Sequence, residues 1–183
     1  TTLFRSPETY LGHLEEVCPN LALIPGDIGL AALEHLFADA WAHFFRGEEI
    51  AAVDMGAFFT VISAAQRAQR ADVVLLDLAS NLGSINRAAV VSVNHVLCPL
   101  TPSLLSIQSL QTLGPILRGW RERWQSFFQG VPAVAASLDP DSSEPLGYVV
   151  TQTGMRLMHP IPAYPRWAAR LPGAYRQAMG KGV

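Results

Sequence analysis

Asp77 stands at the end of an apolar run, Val73-Val74-Leu75-Leu76, and opens a loop that contains Asn81, Gly83, Ser84 and Asn86. A carboxylate delivered by a buried strand can hold a magnesium ion through water, or orient a water molecule beside a phosphate. The plainer role is a helix cap or a paired structural acid. In the loop, Gly83 permits a conformation that exposes backbone N–H groups, and asparagine side chains can position water or phosphate oxygens. Alternatively, Ser84 or Asn86 simply caps the helix that starts near Ile85. A second apolar run, Val96 to Leu100, closes with Pro99 and Pro102. Strands that carry such groups at their C-terminal ends are how open α/β sheets build metal and nucleotide sites.

Other chemistry has less support. His35, Asp39 and His43 fall at i, i+4 and i+8 of one helix face. They would have to reach across about 12 Å to share one ion, so a polar surface is the better reading. Arg118, Arg121 and Arg123 flank Trp120 and Trp124, a mixture suited to nucleic acid. The two tryptophans continue an apolar stripe, however, and read as core. There is no Cys-His pair and no Gly-x-Ser-x-Gly elbow for nucleophilic catalysis. The single lysine, Lys181, sits in a Gly-Lys-Gly with no following helix and cannot serve a phosphate loop.

The elements that must position these groups follow from periodicity and punctuation. Ser6, Pro7 and Glu8 predict a helix over 6–17, and 20–24 reads as a short strand stopped by Pro25-Gly26-Asp27. Leu30, Leu33, Phe37, Ala40, Trp41 and Phe44 space an amphipathic helix over 30–45, ended by Gly47. A second helix over 54–70 leads into the strand that ends at Asp77, and 85–93 is a short helix before a strand at 95–100. The longest helix runs from 103 to about 128, with a kink predicted at Gly114-Pro115. A strand within 131–138, a strand over 146–151 and a helix over 164–179 interrupted near Pro172-Gly173 complete the chain. Alternating strands and helices predict an α/β fold, a mostly parallel sheet with helices on both faces, in a single domain over 1–183.

Composition sets wide bounds. The 183 residues, half of them hydrophobic, suffice for one domain core, and a net charge of −2 gives no general attraction to nucleic acid or acidic lipid. The tail is locally basic, with Arg156, Arg166, Arg170, Arg176 and Lys181. Cys18 and Cys98 lack metal or disulfide spacing and read as reduced and mostly packed, as in a cytoplasmic protein. No apolar stretch approaches the roughly 18 residues of a membrane span. The chain opens Thr1-Thr2 without an initiator methionine, so it reads as processed, excised or incomplete at its front.

Asp72 to Ala89 (Asp-Val-Val-Leu-Leu-Asp-Leu-Ala-Ser-Asn-Leu-Gly-Ser-Ile-Asn-Arg-Ala-Ala) resembles the Walker B and switch region of ParA/MinD-type deviant Walker P-loop ATPases. Val96 to Pro102 with Leu105 to Leu110, Leu146 to Gln152 and Leu21 to Leu30 resemble further family segments, so the likeness runs roughly over 20–179. It implies that Asp77 is the Walker B acid near magnesium and that 79–87 is the switch that senses the γ-phosphate. Asn81 would then act in catalysis, Gly83 would lie against the nucleotide and Gln152 would touch adenine. Ala79-Ser80 stands where the family usually has a proline-containing pair, which implies a looser switch. The Walker A loop with its two lysines would precede residue 1, and without it ATP binding should be crippled.

The resulting expectation is a front-truncated, P-loop NTPase-like domain. Intact, it would bind and hydrolyse ATP-Mg2+, form a homodimer with ATP, and act in plasmid, chromosome or cargo partitioning. A partner protein and non-specific DNA are the other expected contacts. The competing expectation is a non-enzymatic interaction or regulatory module on the same scaffold.

Overall fold

The computed structural model describes residues 14–130, 138, 142–151, 155–156, 159–160 and 163–180. The contacts divide the chain into two compact units, one formed by Thr1–Val93 with Gln125–Pro140, the other by Asn94–Trp124 with Asp141–Val183.

The first unit opens with a hairpin, β1 (Glu15–Cys18) and β2 (Leu21–Leu23), antiparallel with Glu15 opposite Leu23 and Cys18 opposite Leu21. The helix expected over 6–17 is therefore a strand in its last residues, and the rest of it lies outside the described residues. Asn20 makes the turn at φ 68°, a conformation that asparagine tolerates better than most side chains. Asp27 then caps a 3-10 helix, Ile28–Leu33, by accepting from the Gly29 amide at 2.7 Å.

The helix α1 (Glu34–Phe44) buries the stripe its spacing predicts: Phe37, Ala40, Trp41 and Phe44. Two helices, α2 (Glu49–Met55) and α3 (Ala57–Gln69), replace the single one expected over 54–70. They meet at Gly56, where a Cβ would lie 2.3 Å from Leu138. The core closes with Phe37 stacked on Phe58 at 5.6 Å and Phe44 on Phe127 at 3.9 Å. The last helix here, α4 (Ser84–Val91), follows the Asp77 loop and buries Ala88 to Val91.

The second unit holds the parallel pair β3 (His95–Leu100) and β4 (Glu144–Val150), in register from His95 opposite Glu144 to Leu100 opposite Val150. An irregularity between Val96 and Leu97 shifts the ladder. Leu146 is the residue passed over, and Gly147 beside it stands at φ 154°, which a side chain rarely adopts. The long helix α5 (Leu104–Gly130) carries Pro115 inside an unbroken span and buries Leu110, Leu117, Trp120 and Trp124. Two short strands, β5 (Met155–Arg156) and β6 (His159–Pro160), pair antiparallel. The expected C-terminal helix is two: α6 (Ala163–Ala168) and α7 (Leu171–Met179). Pro172 sits in the first turn of α7, where its missing N–H is harmless, so the break falls before it. Tyr175 of α7 packs on Tyr148 at 5.2 Å.

The expected sheet is corrected by these pairings. Among the described residues the strands form three two-stranded sheets, β1-β2, β3-β4 and β5-β6, and no large parallel sheet covered by helices on both faces. The physical reason lies at 73–77, the run expected to be a central strand. It carries no ladder, and Val73 and Leu75 are 71% and 87% exposed. The strand expected within 131–138 lies outside the described residues except at Leu138.

Two glycines of α5 give a sharp contrast. A Cβ at Gly114 would meet the Ala178 carbonyl oxygen of α7 at 2.3 Å, whereas one at Gly119 would meet nothing within 4 Å. Gly119→Ala should stabilise the fold by up to about 1 kcal/mol through helix propensity. Gly114→Ala should instead cost about 1–3 kcal/mol, because backbone cannot yield as a side chain can. Urea denaturation of the two variants checks both signs.

Candidate functional site

The stretch from Asp77 to Asn86 is held from its helical end. Asn86, buried in the first turn of α4, donates its Nδ2 to the Ala79 carbonyl at 2.6 Å and the Asn81 carbonyl at 2.8 Å. Asn81 folds back on the loop: its Oδ1 accepts from the Gly83 amide at 2.9 Å, and its own amide donates to the Ala79 carbonyl at 2.8 Å. Asn86 is thus a brace for the loop and not a helix cap.

The cap of α4 comes from elsewhere. Gly83, at the cap position, offers no side chain. Glu34, the first residue of α1, brings its carboxylate to the helix start, accepting from the Ser84 amide at Oε1 and from the Ile85 amide at Oε2, the latter at 3.3 Å. Ser84 returns the contact, its hydroxyl donating to the Glu34 carbonyl. These bonds satisfy helix N–H groups that would otherwise lack partners, and they place negative charge at the positive end of the helix dipole. The Ser84 amide foremost, then the Ser84 hydroxyl, the Ile85 amide and the charge of Arg87 hold the Glu34 carboxyl below its ordinary value, against a desolvation that pushes it up.

Gly83 has an ordinary φ of −66°, so its glycine is not needed for backbone freedom. It is needed for space: a Cβ there would lie 2.7 Å from Glu34 Oε1 and 2.9 Å from Asn81 Oδ1. Asp77 itself is exposed and, among the described residues, enters no ion pair within 4 Å. Asp77, Asn81 and Gly83 are therefore brought onto one short loop. Gln152 lies outside the described residues, just beyond β4, where the Thr151 amide donates to the Leu100 carbonyl at 2.8 Å.

The remaining candidates resolve as structure. No group of three or more metal-competent side chains occurs among the described residues. His43 of the expected face pairs with Glu48 at 2.8 Å. Arg118 donates to the Ala178 carbonyl near the C-terminus of α7. Cys98 is buried, which pushes its thiol up, while Cys18 is exposed rather than packed. Among the described residues no helix is long and apolar enough to cross a membrane. Sequence reasoning missed Glu34, because a cap that arrives from fifty positions upstream leaves no local signature.

No family model matches the chain, and no curated protein does. Among solved structures it is similar to the crystal structure of protein DIP2308 from Corynebacterium diphtheriae, a structural genomics target, with a TM-score of 0.70 and 18% identity. The likeness covers 87% of this chain and 55% of that one, so the chain spans about half the length of that protein. At this identity the likeness is one of fold alone.

The lowered Glu34 carboxyl has a pH consequence. Its stabilisation should be complete above the ordinary carboxyl value of 4.5 and disappear as the pH falls through the lower folded value. Glu34→Gln should therefore be less stable than the parent at neutral pH, with the gap narrowing in acid. Thermal melts of both proteins between neutral and acidic pH check the sign.

Proposed function

We infer that this chain is the Walker B and switch portion of a ParA-like ATPase domain. The observation that carries the reading is the order of parts over Asp72 to Val91. An apolar run delivers one exposed carboxylate, a hydrogen-bonded loop follows, and a short helix closes it. One exposed carboxylate suits magnesium, which takes one or two from the protein and the rest of its shell from water and phosphates. Bound there, the ion would neutralise charge on the phosphates. Asp77 would hold it through water, Asn81 would face the transferred phosphoryl group, and the Gly83 backbone would lie against the nucleotide. Positioning and electrostatic stabilisation of in-line water attack would supply most of the rate.

The phosphate loop of such a domain would come from sequence outside residues 1–183. A homodimer closed over ATP, a cytoplasmic location and partition of DNA or other cargo belong to this proposal. So does non-specific DNA contact through the exposed Arg166, Arg170 and Arg176. The exposed Val73 and Leu75 also favour a second reading, an interaction module whose partner covers that run.

Calorimetry with ATP-Mg2+ separates the two. The native polypeptide that contains this chain should bind, and the 183 residues alone should not. Asp77→Ala in the longer form should lower hydrolysis by roughly a hundredfold. Failure of both forms to bind would replace the ATPase reading with the interaction module.

A further inference from the structure

The geometry points to Glu34 as the positioning residue of the loop that carries Asn81, an assignment that rests on the nucleotide reading above. The argument begins with the polarity of one amide. Asn81 Oδ1 already accepts from the Gly83 N–H at 2.9 Å, so the group left to face outward is the Nδ2 donor. A donor is the polarity that phosphate oxygens or the lone pairs of a water require. That orientation depends on where the Gly83 amide sits, and Gly83 is enclosed between two oxygens. An added Cβ would lie 2.7 Å from Glu34 Oε1 and 2.9 Å from Asn81 Oδ1.

Glu34 in turn is fixed at both ends. Its carboxylate accepts from the Ser84 and Ile85 amides, and its backbone carbonyl accepts from the Ser84 hydroxyl. Arg87 from α4 acts on its carboxylate, and Arg87 is itself stacked over Trp41 of α1 at 4.5 Å. The first residue of α1 thus sets the start of α4. Through the Gly83 amide it also sets which face of Asn81 is presented. Glu34 touches neither nucleotide nor reacting atoms in this scheme and acts only through Gly83 and Asn81.

Hydrogen–deuterium exchange on the 183-residue chain tests the local part, and steady-state kinetics on the native longer polypeptide tests its consequence. Glu34→Ala should speed exchange at Gly83, Ser84 and Ile85 roughly tenfold and leave the α3 amides unchanged. Glu34→Gln keeps one acceptor and should fall between the two. In the longer form Glu34→Ala should lower kcat about tenfold while KM for ATP stays within about twofold. Unchanged exchange at the loop, or faster exchange across α3 in both variants, overturns the assignment. So does a faster loop with kcat unaltered, since Glu34 would then be a cap and nothing more. If the loop responds but the unsubstituted longer polypeptide hydrolyses no ATP, the ordering by Glu34 stands and the nucleotide reading falls.

Discussion

The carboxylate of Glu34 at the start of α4 is the interaction on which the candidate site depends. A helix leaves its first N–H groups without partners, and α4 has no local side chain to supply one. It is also largely buried, with Ser84, Asn86 and Ala88 to Val91 all withdrawn from water. Water can therefore reach little of this helix, and a carboxylate from α1 meets the need. The same contact fixes α1 against α4, because the Ser84 hydroxyl binds back to the Glu34 carbonyl. A single acidic residue thus couples the aromatic stripe of α1, with Phe37, Trp41 and Phe44 buried, to the loop beyond Asp77.

Once α4 is placed, the loop has little freedom. Asn86 projects from the first turn and takes two loop carbonyls, while Asn81 takes the Gly83 amide. These bonds are made within ten residues, beside the long-range cap on the next two amides. Charge-assisted bonds to backbone N–H groups are stronger than neutral ones, so the cap is a better anchor than the loop bonds beside it. The loop is held from its helical side, since the run at 73–77 carries no ladder.

That arrangement explains what the sequence could and could not reveal. The apolar spacing of α1 and of α5 is local, and both helices were legible with their buried faces. The short helix α4 and the strand β3 were legible for the same reason. Gly56 was not readable as a break, since the chain on either side is apolar and alanine-rich and the side chain that crowds it, Leu138, is far away in sequence. The β1 strand was masked by the helix signals of Ser6 to Glu8, and the hairpin turns on Asn20 in a left-handed conformation. At the site, Asp77, Asn81 and Gly83 could be picked by type and spacing. The purpose of Gly83 was misread as backbone freedom, when the constraint is the closeness of Glu34.

The sheet was overread at its most apolar point. Val73 and Leu75 satisfy the composition of a buried strand, but burial needs a neighbour, and no described residue pairs with this run. Covering a Val or Leu side chain contributes about 1.5–3 kcal/mol, so covering these two would add about 3–6 kcal/mol. That is comparable to the lower end of the stability of a whole domain. Pairing of 73–77 would therefore be a major term in any assembly that contains it. It would also decide the one coordinate that the helix side leaves loose. Asn86 secures the loop from Ala79 onward, two residues after Asp77, so the carboxylate lies between a fixed loop and an unpaired run. A strand added along 73–77 would fix the acid from its other side, and binding at Asp77 would then be coupled to the same contact that buries Val73 and Leu75.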